Sequence, residues 1–412
     1  MTLKKGRILT LFLIIDIIVI AIFINKIVAY WSVALVCLLI CIFWGRKEEC
    51  LVNPFLLFAL TPFTLLIYRN ISDTYMMDLT KETWLIAILN IGAFISALSY
   101  ISNEEKRVAV KPSDEQLYTD AIILAVAGFV PSLLFSVFGI AVPLYSIFGL
   151  LTVPALMCAI KLKNARLIIV FMLLYGITWI NNVSKSTILT TCLAFLIGFE
   201  KYFVKSKKHK RWFFILCVVG LVIVILSFTF ANQNRGMKSA EGQLAYYTKY
   251  GGVTWNGAAA LFMPYMYLET PWTNLQYVMQ SQDTRTFGLW LIKPLLGYLQ
   301  IDSLFAEHYQ LIPMSSFNTY TFIACQFKDF GMGGSILISA LLGIFVRYVY
   351  TKYKSSEDPL DAACYVYVAQ AVLEMFFSNH FFQQSYPFTI VALIVLYKCV
   401  FRKIKIILHH KD

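Results

Sequence analysis

Apolar runs of membrane-crossing length dominate this chain and decide what it can become. Ile8–Ile24, Trp84–Ile101, Phe213–Ala231 and Ser335–Val349 each span a bilayer alone or with their flanks, since a helix needs about 20 residues to cross the hydrocarbon. The wider composition agrees. The 412 residues are 59% hydrophobic and 14% charged, with mean hydropathy +0.69, whereas soluble domains run near 45–50% apolar and about 25% charged. The net charge of +12 therefore marks lysines and arginines flanking spans and does not point to a nucleic-acid partner.

Twelve spans are predicted, near 8–25, 28–44, 54–68, 83–101, 119–138, 140–160, 166–181, 186–203, 212–231, 331–350, 361–378 and 386–401. With the N-terminus inside, cytoplasmic segments hold 25 of the 35 Lys and Arg residues. The short external loops hold four, namely Lys26, Arg69, Lys81 and Lys185, and one long external loop holds the remaining six. That bias sets both termini inside. The predicted architecture is an all-α polytopic membrane protein of about 12 transmembrane helices. Its segments are helices 1–9 over residues 1–231, an external loop over 232–330, and helices 10–12 with a basic tail over 331–412. The N-terminal Lys4-Lys5-Gly6-Arg7 and its apolar run read as an uncleaved first helix, because no small-residue cleavage site follows. Asp16 interrupts that run; it is expected to hydrogen-bond another helix, a functional role being the alternative for an intramembrane carboxylate. None of the nine cysteines has metal-ligand spacing, so neither a zinc site nor a disulfide framework is expected.

The external loop carries two apolar pieces too short to span, Ala258–Leu268 and Phe287–Leu299. Both are expected to lie along the membrane interface, hugging it as a cap. After them come Ile312-Pro313-Met314-Ser315-Ser316-Phe317-Asn318-Thr319-Tyr320-Thr321 and Phe327-Lys328-Asp329-Phe330-Gly331-Met332-Gly333-Gly334. A proline, then Asn-x-Tyr-Thr, then Asp-Phe-Gly-x-x-Gly leading into a span resembles the bacterial oligosaccharide repeat-unit polymerases, the Wzy-type enzymes of O-antigen and capsule synthesis. The resemblance extends to chain size, span number and the place of the large loop. Asp-Phe-Gly also occurs in protein kinases, but every other kinase element is missing.

The resemblance implies a GT-C-like lipid-carrier glycosyltransferase of the inner membrane. It would join undecaprenyl-pyrophosphate-linked oligosaccharides at the outer face and need no cofactor or metal. The chain has no external Asp-x-Asp, no HExxH and no Walker loop, which fits a lipid-pyrophosphate donor. Membrane lipids and a polysaccharide chain-length regulator are the further candidate partners. An O-antigen ligase would share the cations and the loop. A lipid-oligosaccharide flippase would place cations at mid-bilayer, whereas here they cluster at edges.

A departing diphosphate needs positioned cations. Arg235, Arg285, Lys185 and Lys249 are the candidates for pyrophosphate binding, anchoring of helix ends to headgroups being the plainer alternative. Family members often carry an arginine where this chain has Lys185, a departure from the pattern. For acid–base catalysis the candidates are His308 with Glu307, Glu374 and Asp329, the last equally suited to capping a helix that begins near Phe330. Asn318, Tyr320 and His380 are candidates for sugar binding.

Overall fold

The computed structural model describes residues 3–48, 50–68, 78–99, 111–140, 144–182, 185–204, 215, 218–220, 240–281, 285–298, 301, 303–305, 319–382 and 386–402. The ninth expected span, near 212–231, lies almost wholly outside them.

Every regular element among the described residues is helical. In chain order these are α1 (Leu3–Ile24), α2 (Ile27–Lys47), α3 (Pro54–Phe58), α4 (Leu60–Leu66), α5 (Lys81–Leu98), α6 (Asp114–Phe138), α7 (Tyr145–Gly149), α8 (Thr152–Lys161), α9 (Ala165–Asn182) and α10 (Lys185–Phe203). There follow α11 (Ala240–Gly251), α12 (Ala259–Gln280), α13 (Leu289–Tyr298), α14 (Phe322–Ser355), α15 (Pro359–Leu373) and α16 (Tyr386–Tyr397), which passes into a π-helical turn at Lys398–Arg402. Four of them, α2, α5, α6 and α14, are long and apolar enough to cross a membrane, so the chain has the character of a membrane protein. Others expected to span are shorter or broken. Pro62 supplies no N–H to the carbonyl four residues back, and the helix divides at Ala59. Pro154 likewise leaves the Leu150 carbonyl without its helical donor, and the Tyr367 hydroxyl donates to it at 2.9 Å.

Local sequence sets the helix starts. Asn53, Thr80 and Ser113 each accept a backbone N–H from three residues on, opening α3, α5 and α6. Gly139, at φ 67°, closes α6 in the left-handed conformation.

The chain forms two compact units, one of Met1–Asn103, Gly236–Tyr348 and Ala371–Gln384, the other of Glu104–Arg235, Val349–Gln370 and Ser385–Asp412. The described residues of the first unit come from all three segments of the sequence division.

In the first unit, α12 extends beyond the apolar piece Ala258–Leu268. The helix runs through Pro271 to Gln280, and every residue from Glu269 to Gln276 is buried. That second half, buried on all sides, is a core element, whereas the first half leaves Leu261 and Pro264 exposed. Polar side chains of the second half bond inside the unit. Thr273 meets the Tyr68 hydroxyl at 2.9 Å, and Trp272 donates to Thr64 at 3.1 Å. The Gln276 amide bridges Thr80, Thr83 and the Asp78 carbonyl. The other loop helix, α13, fits the expectation better, with Leu291, Ile292 and Leu295 exposed and Trp290 and Leu296 buried. Asp16 departs from its expected role: it is exposed on α1 and has no hydrogen-bond partner among the described residues.

The second unit is organised by its two ends. At one end Arg402 pairs with Asp120 at 2.7 Å and Asp358 at 2.6 Å, and Lys398 reaches Asp358 and Asp361, each at 2.8 Å. Lys161 meets Glu357 at 2.6 Å, and Lys201 donates to the carbonyls of Tyr353 and Ser356. These residues lie at the start of α6 and α15 and the ends of α8, α10, α14 and α16. Those are the helix ends that the charge count assigns to one face. Burial alone would raise the Asp358 carboxyl, but Arg402 and Lys398 outweigh it and hold the group below the usual carboxylate range. Nearby, Gly128 lets α6 and α8 touch: a Cβ there would sit 2.8 Å from Thr152.

Within α14, Gly331 has φ 70° and ψ −163° and divides the element. Ser339 Oγ, whose proton goes to Asn90, also lies 3.2 Å from Gln326 Oε1. Thirteen residues of unbroken helix would separate the two by about 20 Å, so the chain reverses at Gly331. Phe322–Phe330 folds back on the long segment that follows. Asn90 of α5 joins the same seam, accepting from Ser339 at 2.7 Å and donating to Ser335 at 3.2 Å.

The Gly331 conformation is essentially restricted to glycine and costs other residues about 1–3 kcal/mol. Gly331→Ala should lower stability by about that amount in a thermal or denaturant unfolding series. Gly333→Ala, whose Cβ meets open space, should stay within about 0.5 kcal/mol of the parent. Equal effects at both positions would contradict the reversal.

Candidate functional site

The Asp-Phe-Gly reversal seats one of the expected cations. Arg285 lies just before α13. Its guanidinium donates to the Phe327 carbonyl at 2.7 Å and rests 4.6 Å from the Phe327 ring centre. Gly331 adjoins it: a Cβ at that position would stand 3.4 Å from the guanidinium carbon, an ordinary contact. The residue is otherwise exposed. A guanidinium has five N–H donors in a planar fork, and one is spent on Phe327. The remainder have no partner among the described residues, which suits bidentate contact with an anionic oxygen pair.

Asp329 is built into the same corner. Its Oδ1 accepts from the Thr286 hydroxyl at 2.5 Å and the Trp290 N–H at 3.1 Å, and its Oδ2 accepts from the Leu291 N–H at 3.1 Å. The carboxylate therefore caps α13, where a helix N-terminus favours negative charge. The sequence suggested a cap for a helix beginning near Phe330. The capped helix instead starts 40 residues earlier in the chain, because the reversal carries Asp329 to it. Backbone bonds from Thr286 to the Lys328 carbonyl and from Phe287 to the Asp329 carbonyl close the corner.

At the other end of Phe322–Phe330 the Asn-x-Tyr-Thr string is pinned from two sides. Asn274 of α12 donates to the Thr319 carbonyl at 2.7 Å. The Tyr320 and Phe322 N–H groups donate to the carbonyls of Phe377 and Met375, and Asn379 donates to the Phe322 carbonyl at 2.7 Å. These bonds hold the turn after α15. There His380 Nε2 lies 2.7 Å from Glu374 Oε2, both side chains being under a tenth exposed. The contact lacks hydrogen-bond geometry at Nε2, so the two ionisable side chains are close neighbours and not a hydrogen-bonded couple. Two separately expected residues, one catalytic and one sugar-binding, thus lie side by side.

The remaining candidates are placed as follows. Tyr320 is buried beside the turn, its main chain engaged as described. Lys249 is exposed near the end of α11, its ammonium 5.1 Å from the Tyr250 ring. Lys185 begins α10 in the other unit, its side chain outside the described residues, as are Arg235, Glu307, His308 and Asn318 altogether. Sequence reasoning did not single out Thr286, Phe327 or Asn379. Their roles depend on contacts between distant segments, and nothing local marks them. Among the described residues no three His, Cys, Asp or Glu side chains converge on a metal-sized point.

Comparisons with protein-family models, with curated proteins and with solved structures find no match.

Asp329→Asn keeps an acceptor for part of the cap, whereas Asp329→Ala keeps none. The alanine variant should lose about 1 kcal/mol and the hydrogen-exchange protection of the Trp290 and Leu291 amides, and the asparagine variant should retain most of both. Unchanged protection in Asp329→Ala would refute the capping role.

Proposed function

We propose that this chain polymerises lipid-linked oligosaccharide repeat units of the O-antigen or capsular type. On this reading it crosses the bacterial cytoplasmic membrane about twelve times in a GT-C-like arrangement. Both termini lie inside and residues 232–330 outside. The observation that supports it best is the exposed Arg285 guanidinium, braced by the Phe327 carbonyl and ring.

The reaction breaks the bond between the anomeric carbon of the growing chain and its undecaprenyl pyrophosphate. A hydroxyl oxygen of the incoming unit bonds to that carbon, its proton passes to a base, and the diphosphate departs with the bonding electron pair. Negative charge grows on the diphosphate, and a preorganised guanidinium stabilises it more in the transition state than in the ground state. Arg285 takes that role, with Arg235, Lys185 and Lys249 as further cations. His380, beside Glu374, is suited to accept the proton, and His308 with Glu307 is the competing pair. In-line displacement puts nucleophile and leaving group on opposite sides of the reacting carbon. The base and the phosphate-binding cation should therefore be separated by on the order of 10 Å, allowing a hydrogen bond at each end. Phe322–Phe330, roughly 12 Å long, separates the His380 turn from the Arg285 corner. A chain-length regulator is the natural protein partner.

Loss of one positioned donor to such a developing charge costs about 10²–10³-fold in rate. In a reconstituted assay with lipid-linked repeat units, Arg285→Gln should lose about that much chain extension, and Arg285→Lys should fall between the two. In cells, deletion of the chain should leave single repeats at the surface. Accumulated polymer on its lipid carrier would favour a ligase, and loss of even single repeats a flippase. Undiminished extension by Arg285→Gln would remove the proposed role of this cation.

A further inference from the structure

The second unit holds a cavity of about 380 Å³, within the size range of small-molecule sites, about 300–1,000 Å³. It lies away from the ionic end. On α6, twelve residues separate Asp120 from the lining residue Ser132, and on α10 fifteen separate Lys201 from the lining residue Ser186, roughly 20 Å in each case. Among the described residues none lining it is charged, and eleven of those sixteen are Ser, Thr or Tyr.

The direction of the hydroxyl bonds decides what such a wall can recognise. Ser132 donates to the Gly128 carbonyl at 2.8 Å, Thr152 to Gly149 at 2.7 Å and Thr178 to Tyr175 at 2.9 Å. Tyr367 donates to the Leu150 carbonyl at 2.9 Å, and Tyr175 to the Thr152 hydroxyl at 2.7 Å. Thr190 donates to the Ser186 carbonyl at 2.7 Å. A hydroxyl has one proton and two lone pairs, so each of these six, its proton spent on the protein, has only acceptor capacity left for a ligand, whereas Ser186 accepts from the Gln370 amide at 2.7 Å and keeps its proton. A phosphate or carboxylate, itself an acceptor, would meet mainly lone pairs and, among the described lining residues, no cation. A polyprenyl or acyl chain would cover the lone pairs and donate nothing. A ligand with several hydroxyl groups supplies the missing donors. Aromatic surface is also present. Phe135 and Tyr145 stack at 4.2 Å, and Phe129 meets Tyr175 edge-on at 5.0 Å, offering apolar area to the C–H face of a ring.

We infer that this cavity binds an uncharged, hydroxyl-rich ring, that is, a neutral sugar. Only the sugar's origin in a lipid-linked repeat unit rests on the polymerase reading; the recognition chemistry does not.

The test is saturation-transfer NMR on the full chain in lipid nanodiscs free of glycosidic detergent. The probes are a panel of neutral methyl hexopyranosides and N-acetylhexosamine glycosides, with glucuronate and inorganic phosphate for comparison. At least one neutral glycoside should receive saturation at its ring protons, at least threefold above glucuronate. Two variants should reduce that signal to background: Thr178→Phe, and Ser132→Leu as a second route. Each fills the cavity at a residue whose hydroxyl bonds only its own helix, and a retained unfolding midpoint certifies the variant used. A lipid-linked neutral oligosaccharide that displaces the glycoside would assign the sugar to the carrier, whereas displacement only by free sugar would assign it to a soluble ligand. No signal from any neutral glycoside, equal signal from glucuronate, or signal surviving in a folded variant would overturn the inference. Glycoside binding in a chain whose deletion leaves polymer length unchanged would sink the polymerase reading alone. Absent binding alongside lost polymer would sink this inference alone.

Discussion

The side-chain contact between Gln326 and Ser339 is the one on which the candidate site depends. It is possible only because the backbone leaves the helical region at Gly331, and it is supported laterally by Asn90 and Ser335. With the reversal in place, Phe322–Phe330 becomes a short strut with two fixed ends. One end meets Arg285 and the start of α13, and the other meets the turn that carries Glu374 and His380. Unfold the strut into a straight helix and both ends lose their partners together.

The polar groups of the first unit support this arrangement. Buried glutamine, asparagine and threonine side chains in an apolar chain are costly unless bonded, and many of those here are bonded to one another and to backbone, while Thr61 Oγ1, Thr321 Oγ1, Gln326 Nε2 and Asn379 Oδ1 have no partner among the described residues. Asn274 and Asn379 both spend their amides on the string at Thr319–Phe322, and Asp329 spends its carboxylate on the first amides of α13. The second unit separates its polar chemistry by end. Ion pairs tie helix termini together at one, and hydroxyl groups, six of them with their protons spent on the protein, line a cavity at the other.

Much of the helical content was legible because apolar runs of the right length have few alternatives in a bilayer. The lysines and arginines at the helix ends were also legible as a count, though their pairing was not. Arg402 and Asp120 are far apart in sequence, and no local pattern joins them. Asp329 was recognised as a capping residue from its type and neighbours, but the helix it caps was misjudged because the partner lies across the reversal. Ala258–Leu268 reads as a short apolar piece. It is the first half of α12, which continues through Pro271 into a segment whose threonines and amides look solvent-facing until their partners at Thr64, Tyr68 and Thr80 are seen. Glu374 and His380 were each noticed, six residues apart, but a turn's geometry had to be known before they could be set side by side.

Distance across the reversal is the most direct measure of the account. Cysteines placed at Gln326 and Ser339 in a cysteine-free background should be joined within the chain by a short thiol-specific cross-linker in native membranes. Mutation of Gly331 to a helix-favouring residue should diminish the yield. A spacing near 20 Å, as an uninterrupted helix requires, with no cross-link in a folded protein, would contradict it.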